Sequence, residues 1–243
     1  MDATEKTLSV LDALDGARSR LGDIAERAEL PKSTVHRILR RLVERGYARA
    51  QGDGVYVIGP RVLTMAGAML GRLDVTALAA PVLRSLHADV GHTVHFAMLV
   101  DDEAVYLEKL VDPGLPYQFA SRVGGRIPLH CTAIGKSLLA EMETLPRLSL
   151  VARTPQTLVS LGELRAELSR VRERGFAIDD EENERNIRCV GAAVRDHTGA
   201  ATHAISVSAL TVELSLDDAL GLGPRVVAAA DAVSEALGAR PGR

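Results

Sequence analysis

The fold of the amino-terminal part of this chain is decided by residues 30–46, which read LPKSTVHRILRRLVERG. Pro31 suits the first turn of a helix, and Gly46 is typical of the residue that follows one. Between them, apolar residues recur with the period of an amphipathic helix, at Val35, Ile38, Leu39, Leu42 and Val43. The spacing predicts a helix from about residue 31 to residue 45 with one apolar face.

The opposite face of this helix is basic. Residues 31–49 contain six Lys and Arg residues against a single acidic residue, Glu44, although the whole chain has a net charge of −3. The asymmetry extends over residues 1–72, which contain 12 basic and nine acidic residues. A basic segment on an acidic chain is typical of a nucleic-acid-binding module, although from charge alone an ordinary solvated helix face fits equally well.

The neighbouring segments complete a winged helix-turn-helix over residues 1–59. Helical spacing predicts a first helix over 5–15 and a short second helix over 22–28. The turn before the basic helix carries Glu29, where glycine is common. Two β-prone segments, 47–50 and 55–58, flank the hairpin signature Gln51-Gly52-Asp53-Gly54 and form the wing.

This arrangement predicts binding to double-stranded DNA. The basic helix would enter the major groove, and the wing would contact the backbone or the minor groove. The predicted DNA-contacting residues are Lys32, Ser33, Thr34, His36, Arg37, Arg40, Arg41 and Arg49. The alternative is a winged helix that contacts protein.

Length and composition limit the other possibilities. The 243 residues are 47% hydrophobic and 25% charged, which indicates a globular protein of one to two domains and excludes a disordered or disulfide-scaffolded chain. Seven aromatic residues and no Trp disfavour a protein that stacks single-stranded bases. Two cysteines, an acidic start and the lack of a long apolar run predict a cytoplasmic protein without membrane contact.

The rest of the chain is predicted to form a linker helix over 60–74 and an α+β domain over 75–243. The linker carries an apolar seam that suits dimerisation, with a plain connector as the alternative, at Val62, Ala66, Met69 and Leu73. Beyond it, segments of period 2 and period 3.6 are mixed, which favours an α+β fold over a doubly wound one. Helices are predicted over 76–90, 132–142, 160–174 and 216–237, and strands over 92–100, 103–111, 117–121, 176–179, 187–195 and 201–209.

No catalytic, metal or cofactor site is predicted. Gly135-Lys136-Ser137 resembles the end of a phosphate-binding loop, but the glycine that this loop needs five residues earlier is replaced by His130. Neighbouring residues on a strand point to opposite sides, so Cys131 would not form a nucleophilic couple with His130. The histidines at 87, 92 and 95 lack the spacing of a zinc site.

A binding pocket is suggested by small polar groups in the second domain. Ser206 and Ser208 lie on one face of a predicted strand, and Cys189 and Gly191 share a face of its neighbour. Thr132 and Ala133 begin a helix, where free N–H groups attract anions. If these surfaces converge, they suit a small carboxylate. Routine strand serines are an equal alternative.

Six blocks of sequence resemble the IclR family of bacterial transcriptional regulators: residues 30–39, 56–60, 125–136, 175–183, 187–190 and 206–208. The resemblance implies a winged helix, a linker helix and a GAF-like effector domain, assembled as a dimer or a dimer of dimers. It also implies a small organic or aromatic acid bound by Thr132, Ala133, Asp179, Cys189, Ser206 and Ser208. The sequence departs from relatives at residues 183–186, where glycine is often found, and at Gly191-Ala192-Ala193, which replaces Ala-Ala-Pro.

The sequence is therefore interpreted as a ligand-responsive regulator, a repressor on a palindromic operator, and not an enzyme. Two other classes stay open at this point. One is a cysteine-dependent enzyme in the second domain, and the other is an architectural DNA binder with a degenerate pocket.

Overall fold

The computed structural model describes residues 2–14, 19–70, 74–111, 114, 117 and 119–240, except for the side chains of residues 66–70. The chain divides into two compact units, Met1–Leu73 and Asp74–Arg243. Each unit has its own buried core, and each is described by itself.

The first unit contains four helices and three short strands among its described residues. These are α1 (Ala3–Asp12), β1 (Ser19–Arg20), α2 (Leu21–Arg27), α3 (Lys32–Glu44), β2 (Ala48–Gln51), β3 (Val55–Ile58) and α4 (Pro60–Leu70). The basic helix predicted from the sequence is α3, with Pro31 and Arg45 as its two caps. Its apolar face is buried as predicted, because Val35 and Leu39 are both fully buried.

The turn between α2 and α3 adopts the conformation that glycine usually supplies. Glu29 has a φ of 53°, in the left-handed region that disfavours residues with a Cβ. The amides on either side are hydrogen-bonded back to α2, Ala28 N to Ile24 O and Leu30 N to Ala25 O. The helix-turn-helix geometry is therefore kept without glycine.

The wing is part of a three-stranded sheet in the order β1-β3-β2. The predicted hairpin pairs Ala48 with Ile58 and Gln51 with Val55. The edge strand β1, which pairs Ser19 with Tyr56, was not predicted. Two residues give no alternating pattern, so β1 left no periodic signal in the sequence.

The linker helix predicted over 60–74 corresponds to α4. Its seam falls largely outside the described residues, because Leu73 and the side chains of Ala66 and Met69 are among those not described. Val62 is half-buried and Leu63 is 75% exposed.

The second unit is built on a six-stranded antiparallel sheet with the order β6-β5-β4-β9-β8-β7. Its elements are α5 (Val75–Val90), β4 (Thr93–Val100), β5 (Glu103–Leu110), β6 (Arg126–Pro128), α6 (Ala133–Ala140), α7 (Leu161–Arg174), β7 (Ala177–Asp180), β8 (Ile187–Arg195), β9 (Ala201–Leu210) and α8 (Leu216–Ala236). The helices lie between groups of strands in sequence and the sheet is entirely antiparallel. The α+β prediction is confirmed.

The middle of β8 is covered on both faces. Val190 and Val194 are fully buried, and α6 and α8 both pack on this strand. Gly191 allows α6 to approach closely, because a Cβ at this position would lie 2.8 Å from the carbonyl carbon of Ala133. The first turn of α6 therefore rests directly on β8.

The predicted strand over residues 117–121 is wrong for its described members, none of which lies in a strand. The Lys109 ammonium accounts for the difference, because it donates to the carbonyl oxygens of Phe119 (3.1 Å) and Ser121 (2.7 Å). On the edge of β5 away from β4, the neighbouring strand is β6, in which Ile127 pairs with Ala104.

Candidate functional site

The predicted DNA-contacting side chains lie together on the surface of the first unit. On α3 all of them are exposed except Thr34, which is half-buried. Arg49 is exposed on β2, opposite Val57 of β3. The structure thus places a basic helix face and a basic wing residue in solvent.

The basic groups of α3 differ in how far they are neutralised. Glu44 lies 2.9 Å from the Arg41 guanidinium and 3.7 Å from that of Arg40. Among the described residues, Arg37 has no ion-pair or hydrogen-bond partner for its guanidinium. Arg37 is therefore the arginine on this face that is least compensated within the protein.

The second unit contains a cavity of about 320 Å³ beside β8 and β9. It is lined by His95, Tyr106, Phe119, Ala120, Ser121, Arg122, Gly125, Arg126, Ile127, Pro128, Arg153, Asn183, Glu184, Ile187, Cys189 and Ser208. Two of the predicted pocket residues, Cys189 and Ser208, are on its wall, and they are paired across β8 and β9.

A chain of hydrogen bonds runs through the buried end of the cavity. Ser208 Oγ lies 3.1 Å from Cys189 Sγ and 3.4 Å from His95 Nδ1. The other nitrogen of this imidazole, Nε2, lies 2.8 Å from Ser121 Oγ. Tyr106 packs on the His95 ring with a centroid distance of 4.8 Å.

The imidazole and the thiol at the buried end are both uncharged. Burial, with a smaller contribution from the Lys109 charge, lowers the pKa of His95 to about 3, so its imidazole is uncharged near neutral pH. Burial also raises the pKa of the Cys189 thiol well above its usual range, and the nearby Asp179 carboxyl adds to that shift. Both groups present neutral donors and acceptors to the cavity.

The exposed end of the cavity carries the charge. Arg122, Arg126 and Arg153 all line the cavity and are exposed, while Glu184 is the acidic residue in the lining. Arg126 also forms a 2.9 Å ion pair with Glu103, which does not line the cavity. These arginines were missed from the sequence, because only the folded chain places residues 122, 126 and 153 on the wall of one cavity.

The remaining predicted pocket residues do not line the cavity. Thr132 caps α6, accepting from Gly135 N at 2.9 Å and donating to Pro128 O at 2.7 Å. Ala133 and Ser206 lie where α6 presses on β8: Ser206 is paired with Gly191 and is 3% exposed. The Asp179 carboxylate, 2% exposed, accepts from the amides of residues 182 and 183. These four residues are therefore held by close packing or by hydrogen bonds within the protein.

The segment that resembled a phosphate-binding loop is buried. Lys136 is fully buried and pairs with Glu182, whose second oxygen, Oε2, has no hydrogen-bond partner among the described residues. Burial raises the pKa of Glu182, against the effect of the Lys136 charge. Lys136 is therefore a structural cation and is not available to a nucleotide.

The surroundings of Cys131 and His130 do not suit a nucleophilic couple. Burial raises the pKa of the Cys131 thiol to about 12, so it carries almost no thiolate. His130 Nε2 contacts Val151 O at 3.1 Å, and His130 and Cys131 both lie in a bend before α6 rather than in a strand. Within the described ranges, no group of three or more metal-binding side chains is assembled.

A second, larger cavity of about 1130 Å³ lies beside α7, α8 and the end of β8. Its walls include the ion pair between Arg195 and Glu141, whose closest atoms are 2.7 Å apart. None of the predicted pocket residues lines it.

Models of known protein families match residues in both units of the chain. A model of the IclR helix-turn-helix domain matches residues 3–52, and a model of the C-terminal part of the bacterial transcriptional regulator IclR matches residues 67–235. The chain belongs to the IclR family. Its sequence is 33% identical to the HTH-type transcriptional regulator XynR of Escherichia coli, with 98% of each chain covered. It is 32% identical to the transcriptional repressor IclR of the same species, over 90% of this chain and 82% of that one.

Solved structures agree with this assignment. The repressor BlcR of Agobacterium tumefaciens superimposes with a TM-score of 0.77 at 29% identity, over 98% of both chains. The IclR-family chain is thus a DNA-binding transcriptional regulator with a C-terminal effector domain, and not an enzyme. Among the residues that the structure describes, no helix combines the length and the apolar character needed to cross a bilayer.

Proposed function

We propose that this IclR-family regulator is a repressor whose operator affinity changes when a small organic or aromatic acid binds in the 320 Å³ cavity. In this proposal residues 1–59 bind DNA, residues 60–74 link and dimerise, and residues 75–243 form a GAF-like effector domain. The protein would bind a palindromic operator as a dimer or a dimer of dimers, because two symmetry-related DNA-binding domains match two half-sites.

The observation that carries the effector proposal is the chemistry of the cavity wall. A volume of about 300 Å³ is at the lower end of the range for small-molecule sites. Cys189 and Ser208 would hold the effector at the buried end, and arginines at the exposed end would attract an acid. Thr132, Ala133, Asp179 and Ser206 would support this wall from behind, because their own contacts are with the protein.

DNA binding is proposed to use the exposed face of α3 together with the wing. Arg37 would contact a base or a phosphate directly, because no carboxylate competes for it among the described residues. Arg40 and Arg41 would exchange their partner Glu44 for phosphates. Lys32, Ser33, Thr34, His36 and Arg49 complete the proposed contact surface.

The DNA half of the proposal is tested by selecting bound duplexes from a random library with the full chain. The selected sites should be inverted repeats, and Arg37→Ala should weaken binding by about 1–3 kcal/mol if the residue reads a base. The matched control is Arg165→Ala, an exposed arginine on α7 of the second unit. Unchanged affinity for both Arg37→Ala and Arg40→Ala would contradict the assignment of this face.

The effector half is tested by a thermal-shift screen of small carboxylates and aromatic acids, followed by operator titration. An acid that raises Tm should also change operator affinity when saturating, because allosteric control requires different affinities for two states of the protein. A saturating acid that leaves operator affinity unchanged would contradict the coupling. Multi-angle light scattering of the DNA-free protein measures whether it is a dimer or a tetramer.

A further inference from the structure

We propose that residues 119–125 form a strap that closes the cavity beside β8 and β9, and that Lys109 is the positioning residue that keeps this strap closed. The strap lies between β5 and β6 in the sequence. Its residues on the cavity wall are Phe119, Ala120, Ser121, Arg122 and Gly125. The proposal concerns how the cavity opens and not what fills it.

A cross-strand pair holds the first part of the strap. His95 on β4 and Lys109 on β5 lie directly opposite each other, so both side chains project from the same face of the sheet. His95 Nε2 lies 2.8 Å from Ser121 Oγ, and the Lys109 ammonium donates to Ser121 O at 2.7 Å. The same ammonium donates to Phe119 O at 3.1 Å. Ser121 is therefore held through its side chain and its main chain at once.

The other end of the strap is fixed to β5 by main-chain hydrogen bonds. Tyr106 N donates to Gly125 O at 3.0 Å, and Tyr106 O accepts from Gly124 N at 2.8 Å. Gly124 has a φ of 79°, which a residue without a Cβ adopts readily. Two glycines beside a fixed strand can absorb the change of backbone angles that an opening requires. The strap would therefore open about Gly124 and Gly125, and the contacts of Ser121 would break.

A second loop of the cavity wall, residues 181–184, is held by more hydrogen bonds. The hydroxyls of Thr154 and Thr157 each donate to one of its carbonyl oxygens at 2.6 Å. The buried Asp179 carboxylate accepts from two of its amides. This loop is therefore a less suitable element for opening the cavity than the strap.

Lys109 is the main contact of the first three strap residues. Apart from the two bonds from Lys109, their main chain makes no hydrogen bond within the described part of the chain. Hydrogen bonds from a charged donor are stronger than neutral ones. Loss of the Lys109 ammonium should therefore release the strap more than loss of the contact between His95 and Ser121.

Cys189 can report whether the strap is open. Its thiol lies on the cavity wall, whereas Cys131 is fully buried and does not line the cavity. A thiol reagent larger than water would reach Cys189 when the strap opens, so its labelling rate follows the open population. Cys131 would become accessible when the second unit unfolds. The two thiols fall on different tryptic peptides, residues 127–136 and 189–195.

Labelling of the full chain with N-ethylmaleimide, followed by mass spectrometry of both peptides, tests the proposal. We expect Lys109→Met to label Cys189 about tenfold faster than the wild type and Cys131 at the wild-type rate, because charge-assisted hydrogen bonds to the strap are lost. Lys109→Arg keeps a charged donor and should return the Cys189 rate to near that of the wild type. Ser121→Ala loses one neutral hydrogen bond and should accelerate Cys189 labelling about threefold.

The expected acceleration has the opposite sign to a simple charge effect. Removing a positive charge disfavours a nearby thiolate, which is the reactive form, and would slow the labelling of Cys189. The reagent itself is uncharged. The matched control is Arg147→Met, which removes an exposed cation that does not line the cavity and should leave both labelling rates unchanged.

Three results would overturn the role of Lys109. These are a wild-type rate at Cys189 in Lys109→Met, a rate that Lys109→Arg does not restore, and equal acceleration at Cys131 and Cys189, which would indicate unfolding of the whole unit. An effector would enter the cavity past the strap, a consequence that rests on the proposed function. Labelling needs no effector, so the strap is tested independently of the acid screen, in which the proposed function can fail separately.

Discussion

The buried ion pair between Lys136 and Glu182 gives the sharpest prediction about stability. Lys136 is completely buried and the Glu182 side chain is 9% exposed. Removing one partner of such a pair leaves an uncompensated buried charge, which costs about 3–5 kcal/mol. We therefore expect Lys136→Met and Glu182→Leu each to destabilise the second unit by that amount.

The double variant Lys136→Met/Glu182→Leu should recover most of the loss, because an apolar pair of similar volume carries no unpaired charge. For a unit of this size, about 2–4 °C of Tm corresponds to 1 kcal/mol, so each single variant should lower Tm by about 6–20 °C. Urea denaturation and calorimetry of all four proteins give the coupling between the two sites.

The loss of stability caused by Lys136→Met should also depend on pH. Burial already raises the pKa of Glu182, and without the Lys136 charge that pKa rises further. The folded variant then binds a proton that the unfolded chain has released, so its stability increases as pH falls from 8 towards 5. Single variants that lose less than about 1 kcal/mol, or a double variant as unstable as the sum of the singles, would refute this account of the pair.

Three further changes have expected outcomes. Gly191→Ala should lower the free energy of unfolding by about 1–3 kcal/mol, because its Cβ would lie 2.8 Å from a carbon of the α6 backbone. The control Gly221→Ala, with nothing within 4 Å of its Cβ, should stabilise α8 by about 0.5–1 kcal/mol. Urea denaturation measures both, and a change of stability in the same direction in the two variants would contradict this. His95→Gln should remove a pH dependence: the pKa of His95 is about 3 when folded, so the unfolded chain binds the extra proton below pH 6.5, and this residue alone lowers the stability of the wild type by about 2 kcal/mol between pH 7.5 and pH 5. Equal slopes of stability against pH in the two proteins would argue against a buried neutral imidazole. Thr132→Val should cost about 1 kcal/mol through loss of the α6 cap, measured by thermal denaturation, and a cost within error of zero would mean that the cap is dispensable.

Elements with local sequence signals, such as α3 and β8, could be predicted closely. The apolar stripe and the caps of α3 gave its ends to within a residue, and β8 was predicted over the same range that the structure shows. Glu29 was recognised as a departure at the turn, but its left-handed backbone follows from the packing of α2 and α3, which the sequence pattern does not describe.

Strands were harder to predict where a contact of one distant side chain outweighs the alternating sequence pattern. The predicted strand over 117–121 failed because the Lys109 ammonium binds two of the carbonyl groups that a ladder would need. Three-residue β6 and two-residue β1 are too short for alternation to be detected. In both cases the outcome depends on contacts between residues far apart in sequence.

The sequence by itself determined the two domains' chemistry: a basic amphipathic helix with a wing, and an acidic α+β unit without a catalytic motif. Periodicity and charge are properties of neighbouring residues, so they can be read along the chain. The tertiary structure alone decided which polar residues share a cavity. It places Cys189 and Ser208 on the wall, closes the space around Ser206 with α6, and adds Arg122 and Arg153 to the wall of the same cavity. Convergence of side chains depends on how helices and loops pack on the sheet, and that packing has no signature in the spacing of residues along one strand.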